Sequence, residues 1–377
     1  MEPSNPKSHI VLLSAPAHLT PVIELGKRLV TFQDVEITIF VASFTQSAVA
    51  ESRMLQAALS TKLFHVIHLP PADISNLVAP GDKGITSLSA AVRLVRPTFQ
   101  AAMSRLKTEA IALVVHVFSM ECLGVSDELK IPKYVFVSTN AWFLAVLVYT
   151  PVLEKEVEGE YAGKKEPFVL PGCSSIRAED LPDPVLLRTT ANYREFLKIG
   201  MEIPEADGIL VNTWEELQRK TLASLRESKL LGGVAKTQIF PVRPINSKGS
   251  PALKNELVDW LDKQLADSVL YISFGTIECI TNGLPMIAWP LYSKQRMNAT
   301  MLTEEMGIAV RSETLPSQGV VGREEIKKMV RKIFVDDEGR EMRDRVKELK
   351  LSAEKVWSNG GSSYNGLVEM VECKKKC

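Results

Sequence analysis

Short apolar runs alternate with amphipathic segments in the N-terminal part of the chain, and this alternation limits the possible fold more than any other feature. The runs that predict buried strands are residues 9–14, 35–43, 64–69, 112–119 and 134–138. The segments that predict helices are residues 21–30, 88–107 and 121–129. Strands joined by helices form parallel sheets with helices on both faces, so the sequence predicts an α/β fold with a doubly wound sheet.

Length and composition are those of a soluble protein with two domains. The chain has 377 residues, of which 45% are hydrophobic and 24% charged, values typical of globular proteins. Lys plus Arg and Asp plus Glu balance at 45 each, which argues against a nucleic acid or an acidic membrane surface as partner. Residues 240–251 are rich in Pro, Gly, Asn and Ser and predict a linker.

The cysteines and the apolar runs argue against further classes of protein. The five cysteines are odd in number and no two of them are separated by two residues, so neither a disulfide framework nor a metal site is indicated. Cys373 and Cys377 stand close together in the Lys-rich tail, which favours a solvated end over a metal clip. The N-terminus lacks the pattern of a secretory signal, and the longest apolar run, residues 141–149, is too short to span a bilayer. We therefore expect a cytoplasmic protein with no integral membrane segment.

Two apolar runs in the C-terminal part stand too close together for a parallel sheet. Residues 270–273 and residues 285–289 both predict buried strands. The first run ends in Phe274-Gly275, so only residues 276–284 remain before the second run, whereas a crossover between parallel strands needs about a dozen residues or more. The sequence indicates that a segment is missing here.

Residues 278–295 resemble the last part of the signature box of plant UDP-dependent glycosyltransferases of family 1. The residues that agree with that box in order and spacing are Gly283, Pro285, Trp289, Pro290 and Gln295. The first part of the box, with a Trp that stacks on uracil and a His-Cys-Gly-Trp-Asn-Ser turn that receives the diphosphate, is absent. The chain is shortened as though about three βα units of roughly 30 residues each had been removed.

The resemblance covers nearly the whole chain and implies a domain organisation. Other segments similar to the family are residues 131–144, 207–217 and 360–364. The family has two Rossmann-like domains in the GT-B arrangement, and here the second domain is truncated internally. We expect an acceptor-binding domain at residues 1–242, a UDP-sugar-binding domain at residues 251–355, and a terminal helix at residues 356–377 that packs back on the first domain.

His18 follows the first predicted strand and begins a predicted helix, at the edge of the sheet where doubly wound folds bind ligands. A histidine can take a proton from a hydroxyl as general base near neutral pH. The alternative is a histidine that only satisfies the start of the helix. The residues that match the opening motif of the family are His18, Pro21, Leu25, Gly26, Arg28 and Leu29. The resemblance makes His18 the catalytic base, in a loop two residues shorter than in the family.

His116 stands at the end of a predicted strand, where the family places an Asp that orients the base. A neutral imidazole accepts one hydrogen bond but carries no negative charge to stabilise a protonated His18. We therefore expect His116 to retain the orienting role and to lose the charge stabilisation. The alternative is a polar residue at a strand end without a role in the reaction.

The resemblance also implies binding residues for donor and acceptor. The donor-binding residues would be Thr276, Glu278, Ser293, Lys294 and Gln295, with Glu278 on the ribose hydroxyls and Gln295 on the sugar. Lys294 replaces the usual acidic neighbour of Gln295. The acceptor-binding residues would be Asn140, Trp142 and Phe143, although aromatic residues in such a run more often belong to the core.

The implied function is an inverting transfer of glucose from UDP-glucose to the hydroxyl of a small phenol of the hydroquinone or phenylpropanoid type. UDP-glucose is a substrate, and neither a cofactor nor a metal ion is implied. The alternative is a catalytically inactive truncated form that at most binds acceptors or partner proteins. We expect a monomer.

Overall fold

The structure, a computed structural model, divides the chain into two compact units. It describes residues 7–45, 63–79, 84–231, 237–243, 260, 263–264 and 276–372. The first unit comprises Met1–Glu179, Asp183–Ile245 and Val356–Cys377, and the second comprises Asp180–Pro182 and Asn246–Lys355. The domain limits predicted at residues 242 and 251 border residues that the structure does not describe, so these limits stay a prediction.

In the described part of the first unit, seven strands form one sheet in the order β3-β2-β1-β4-β5-β6-β7. The strands are His9–Leu13, Glu36–Val41, His65–His68, Ala110–His116, Lys133–Val137, Gly208–Val211 and Gln238–Pro241. Neighbouring strands are parallel. The strand order reverses between β1 and β4, and such a reversal opens a crevice at the carboxyl ends of the strands. The predicted doubly wound α/β fold is confirmed.

Helices connect the strands and complete both units. Helices α1 to α7 are Leu19–Gln33, Ile85–Met103, Val125–Leu129, Ala141–Glu156, Asp183–Leu186, Ala191–Glu202 and Arg219–Glu227. Helices α8 to α12 are Thr276–Asn282, Gln295–Thr300, Arg323–Phe334, Asp337–Lys355 and Ser362–Glu372. Short 3-10 turns occupy Val117–Cys122, Ala178–Asp180, Ile203–Glu205 and Lys229–Leu231, and a π-helical turn occupies Met301–Glu305. Within the described ranges, no helix has the length and apolar character needed to cross a membrane.

The sequence did not predict helix α4 or strand β7. Helix α4 is buried on most sides, so its apolar residues show no helical period. Strand β7 ends in Pro241, so its last two residues fall inside the predicted linker at residues 240–251. That linker prediction is wrong at residues 240 and 241, because the edge of a sheet tolerates the missing N–H of proline.

The core of the first unit fixes the start of helix α1. Residues of β1 and β2 under this helix are wholly buried, among them Leu12, Ile37 and Ile39. Gly26 allows the close approach, since a Cβ atom at this position would lie 3.3 Å from Cδ1 of Leu12. Burial on both faces explains why these strands appear in the sequence as continuous apolar runs. It also holds the loop between β1 and α1 in place.

The terminal helix α12 belongs to the first unit. The hydroxyl of Tyr134 in β5 donates to the carbonyl oxygen of Met370 over 3.3 Å. The backbone nitrogen of Arg243 donates to Oγ of Ser363 over 2.8 Å. These hydrogen bonds, together with the packing of α12 on α1 and β7, attach the end of the chain to the sheet that carries His18 and His116.

Trp357 forms the aromatic contact between the end of the chain and α1, and we expect its removal to destabilise the first unit. Its ring stacks on Phe32 at a centroid distance of 5.0 Å and an angle of 8°, and the guanidinium carbon of Arg28 lies 5.0 Å from its ring. The stacked pair and the cation–π contact each contribute about 1 kcal/mol beyond area burial. Trp357→Ala should therefore lower the free energy of unfolding by about 2–4 kcal/mol, measured by urea denaturation. Trp260→Ala, at a residue that is 52% exposed, should change it little, and equal losses would contradict this expectation.

The described part of the second unit contains two short parallel strands, β8 at Met286–Ala288 and β9 at Ala309–Arg311. The hydrophobic cluster beside them consists of Val310, Val321, Met329, Ile333 and Met342, with Ile287 and Trp289 at its border. The predicted strand at residues 285–289 corresponds to β8. The sequence also predicts amphipathic helices at residues 253–263, 295–305, 323–334 and 338–357, and the last three correspond to α9 with its π-helical turn, α10 and α11. The predicted strand at residues 270–273 and most of the predicted helix at residues 253–263 lie outside the described residues.

Asp180–Pro182 belongs to the second unit and brings a buried carboxylate to it. Asp180 is fully buried, and its two oxygens accept hydrogen bonds from the two terminal guanidinium nitrogens of Arg311, each over 3.1 Å. The hydroxyl of Thr300 donates to the same carboxylate over 2.9 Å. A buried charge is tolerated when it is paired and hydrogen-bonded, as this one is.

Candidate active site

His18 lies in the loop that leaves β1, directly before helix α1. Its backbone nitrogen donates to the carbonyl oxygen of Ala15 over 3.0 Å. The preceding residue, Ala17, has a φ angle of 60°, a conformation that glycine adopts at less cost than alanine. The His18 side chain is half-buried. The backbone therefore directs this histidine to the carboxyl end of the sheet, as the sequence predicted.

His18 and His116 meet because β1 and β4 are neighbours in the sheet. Leu13 of β1 pairs with Val115 of β4, so the residues that follow both strands emerge side by side. The ring centroids of His18 and His116 are 4.7 Å apart, and the ring planes are inclined by 31°. The two histidines singled out by the sequence thus form one pair at the carboxyl ends of two central strands.

Phe118 completes a cluster of three rings and was not predicted. Its ring centroid lies 5.1 Å from that of His18 and 5.4 Å from that of His116. The predicted strand at residues 112–119 is wrong in its last three residues, because the 3-10 turn begins immediately after His116. The turn places Phe118 next to the two histidines. Hydrophobic periodicity predicts helices and strands but not a short 3-10 turn, so it did not indicate Phe118 as a site residue.

Hydrogen bonds fix the tautomer of His116, which is 1% exposed. The backbone nitrogen of Phe118 lies 3.3 Å from Nδ1, and a backbone N–H can only donate. Nδ1 is therefore the acceptor, and the neutral ring carries its proton on Nε2. Nε2 lies 2.9 Å from Oγ of Ser138, to which it donates. Since both ring nitrogens are engaged in this way, His116 offers His18 a fixed ring plane and no carboxylate.

The structure places two of the three predicted acceptor residues in the core. Trp142 is fully buried, and Phe143 is 5% exposed and packs edge-on against Phe196 at a centroid distance of 5.7 Å. Asn140 caps helix α4, since its side-chain oxygen accepts from the backbone nitrogen of Phe143 over 3.0 Å. We therefore do not retain Trp142 and Phe143 in the acceptor site proposed below.

Polar side chains gather where β5 and β6 end, next to the histidine pair. The amide nitrogen of Asn212 donates to the carbonyl oxygen of Ser138 over 2.9 Å. Among the described atoms, the buried oxygens Oγ1 of Thr139, Oδ1 of Asn212 and Oγ1 of Thr213 have no hydrogen-bond partner. Buried polar atoms in native proteins nearly always have a partner, so these oxygens are acceptor sites for buried water.

Comparison with known proteins identifies the family. The family described as UDP-glucoronosyl and UDP-glucosyl transferase matches residues 273–334. Anthocyanidin 3-O-glucosyltransferase 5 of Manihot esculenta is 41% identical, in an alignment that covers 96% of this chain and 94% of that protein. The chain belongs to the UDP-glycosyltransferase family.

Solved structures of UDP-glycosyltransferases have the same fold. TcCGT1 in complex with UDP is 32% identical, with a TM-score of 0.86 and coverage of 98% of this chain and 99% of that one. Phytolacca americana UGT2, complexed with UDP-2fluoro-glucose and pterostilbene, is 25% identical, with a TM-score of 0.87 and full coverage of both chains. The predicted GT-B class is confirmed.

This glycosyltransferase is shorter than its relatives. The alignment with the Manihot protein extends over 459 positions, whereas the chain has 377 residues. The relatives therefore carry residues that this chain lacks. The predicted place of the loss, between Gly275 and Glu278, lies at the border of the described residues and stays a prediction.

The predicted donor residues of this glycosyltransferase lie around helices α8 and α9. Thr276 and Glu278 are in α8, and the structure does not describe their side chains. Ser293 has a φ angle of 59°, and Lys294 precedes α9. Burial lowers the pKa of Lys294 to about 8, so part of its population is neutral near pH 8.

Gln295, the first residue of α9, is oriented by its own loop. Its side-chain oxygen accepts from the backbone nitrogen of Leu291 over 2.8 Å and from that of Tyr292 over 3.4 Å. The amide oxygen is therefore engaged within the loop, and the NH₂ group is the end that can donate to a ligand. In the described part of the chain, no group of three or more His, Cys, Asp or Glu side chains is arranged to hold a metal ion.

Proposed function

We propose that the first unit retains the acceptor half of an inverting UDP-glucosyltransferase, with His18 as its general base. One ring nitrogen of His18 takes the proton of a phenolic hydroxyl while that oxygen attacks C1 of the glucose in UDP-glucose. The bond between C1 and the phosphate oxygen breaks, and UDP leaves with the electron pair. The observation that carries this proposal is the half-buried ring of His18, packed 4.7 Å from the ring of His116 at the edge of the sheet.

His116 has a weaker role in this reaction than an aspartate would have. Its ring holds His18 in place by packing, and its hydrogen bonds to Ser138 and Phe118 keep that ring fixed. It supplies no negative charge to balance the imidazolium that forms when His18 takes the proton. The base is thus positioned but not electrostatically supported, which favours slow proton transfer.

A small phenol is the acceptor that this site fits best. Aromatic rings pack against one another at centroid distances of 4.5–7 Å, and Phe118, half-buried beside His18, offers such a partner. The names of the two relatives support this class, since one refers to anthocyanidin and the other to pterostilbene. Hydroquinone and phenylpropanoids are the simplest candidates.

The donor half is the weaker part of the enzyme. Thr276, Glu278, Ser293, Lys294 and Gln295 are the residues we propose for UDP-glucose. The missing part of the signature box removes an aromatic stack worth about 1–3 kcal/mol. It also removes two or three hydrogen bonds to a charged diphosphate, each worth about 1.5–3 kcal/mol. The sum of roughly 5 kcal/mol or more corresponds to about 10³-fold weaker donor binding.

We expect slow formation of glucoside when the chain is supplied with UDP-glucose at millimolar concentration and a panel of phenols. Glucoside and UDP are quantified by mass spectrometry, and donor affinity is measured by calorimetry. His18→Ala should abolish turnover, because it removes the proposed general base, and His68→Ala, at an exposed residue of β3, should leave it unchanged. Micromolar donor affinity with rapid turnover would contradict the proposed loss of the donor half.

A catalytically inactive form that binds acceptors is the second candidate, and the longer sequences of the relatives favour it. This candidate predicts that calorimetry detects the binding of phenols but not the binding of UDP. It also predicts that no glucoside forms at any concentration of UDP-glucose. The predictions of a monomer and of a cytoplasmic location stand beside both candidates. Size-exclusion chromatography with light scattering tests the first, and fractionation of cells tests the second.

A further inference from the structure

Ser138 lies at the carboxyl end of β5 and contacts the histidine pair from the side opposite to His18's strand. Its hydroxyl oxygen is 2.9 Å from Nε2 of His116. Its own backbone is held by Asn212, whose amide nitrogen donates to the carbonyl oxygen of Ser138 over 2.9 Å. Ser138 was not among the residues that the sequence singled out.

The second hydrogen bond of His116 makes the contact with Ser138 specific for one tautomer. The backbone N–H of Phe118 donates to Nδ1, so the neutral ring carries its proton on Nε2. The Nε2–H group donates a hydrogen bond to the hydroxyl oxygen of Ser138. Without that acceptor, the buried Nε2–H group would lose this hydrogen bond and with it part of what favours the present tautomer. A rotated ring or the other tautomer would then compete with the arrangement in the structure.

We infer that Ser138 is a positioning residue of the transferase site, acting on His18 through His116. Ser138 holds the His116 ring in one plane and one protonation pattern, and the His18 ring packs on that plane at 4.7 Å. An aspartate at position 116 would hold His18 by its negative charge. Here, the hydrogen bond to Ser138 fixes the His116 ring, and that ring holds His18 by packing. The inference rests on the proposed function only for its effect on the reaction.

Ring-nitrogen NMR of the full chain labelled with ¹⁵N-histidine tests the inference without any turnover. The chain has five histidines, few enough to assign by substitution. In the unchanged protein, His116 should show an unprotonated Nδ1 and a protonated Nε2. In Ser138→Ala these two signals should shift towards each other as tautomers mix, and Ser138→Thr, which keeps a hydroxyl, should restore the original pattern.

Ser126→Ala is the matched control. Ser126 lies in the same unit, and its hydroxyl donates to the carbonyl oxygen of Leu123 over 2.6 Å. The same loss of a hydrogen-bonded serine hydroxyl should leave the His116 signals unchanged. Unchanged His116 signals in folded Ser138→Ala, or the same change in Ser126→Ala, would overturn the inference.

Kinetics supply the second measurement if the chain forms glucoside. Ser138→Ala should lower kcat by about 10-fold to 100-fold with little change in the KM for the phenol, because a displaced base affects the reaction more than binding. An unaltered kcat would contradict the positioning role. If no variant forms glucoside while the NMR result is as expected, the proposed transfer fails and the positioning of His116 stands.

Discussion

Two changes made together should restore rapid transferase activity, whereas His116→Asp made alone should not. The first change inserts, between Gly275 and Glu278, the corresponding residues of the Manihot relative. UDP binding should then strengthen by about 10³-fold, since the stack and the diphosphate hydrogen bonds return. His116→Asp in that repaired chain should raise kcat by a further factor of about 10²–10⁴.

The two effects are separable because they act on different steps. The inserted residues bind the donor, and a carboxylate at position 116 stabilises the imidazolium of His18 after it takes the proton. Ser138 and the Phe118 backbone nitrogen, which now contact His116, can donate to that carboxylate. Calorimetry with UDP measures the first effect, and steady-state kinetics measures the second.

His116→Asn in the repaired chain is the control for the second effect, because it changes the side chain without adding charge. It should leave kcat close to that of the repaired chain with His116. The division of roles is wrong if His116→Asp alone restores rapid turnover, or if the repaired chain is fully active with His116 in place.

Asp180→Ala should destabilise the second unit by about 3–5 kcal/mol. Asp180 is fully buried and accepts two hydrogen bonds from Arg311, whose side chain is 15% exposed. Removing the carboxylate leaves the guanidinium in a poorly hydrated position without its charge partner, and this penalty is larger than the net contribution of the pair itself. Hydrogen exchange of peptides that contain β9 and α9 measures the effect locally, in the full chain.

Two variants show whether the cost comes from the unpaired charge. Glu324→Ala removes one partner of an exposed ion pair with Lys327 and should change exchange little. Combining Asp180→Ala with Arg311→Leu removes both buried charges and should recover much of the stability. Exchange in β9 that is unchanged by Asp180→Ala would contradict the structural role of this pair.

The sequence by itself determined the class of the fold and the location of His18. Strands buried on both faces of a parallel sheet appear as continuous apolar runs, and amphipathic helices repeat their apolar residues about every 3.6 residues. Both patterns are local, so a short stretch of sequence is enough to recognise them. The resemblance to the family made His18 and His116 candidates for one site, and the structure places them together because β1 and β4 are neighbours. The small number of residues between positions 274 and 285 likewise indicated a missing segment, and the greater length of the relatives supports this.

Only the tertiary structure decided how these residues act. Phe118 joins the site through a 3-10 turn, and its backbone N–H selects the tautomer of His116, whose Nε2 then donates to Ser138, 22 residues further along the chain. Trp142 and Phe143, apolar residues beside a strand end, proved to be core, since the same composition serves a wall or a core equally well. Asp180 and Arg311 are 131 residues apart. Contacts between residues so distant in the chain leave no local pattern, because the energy that selects them arises only when the folded chain brings the partners together.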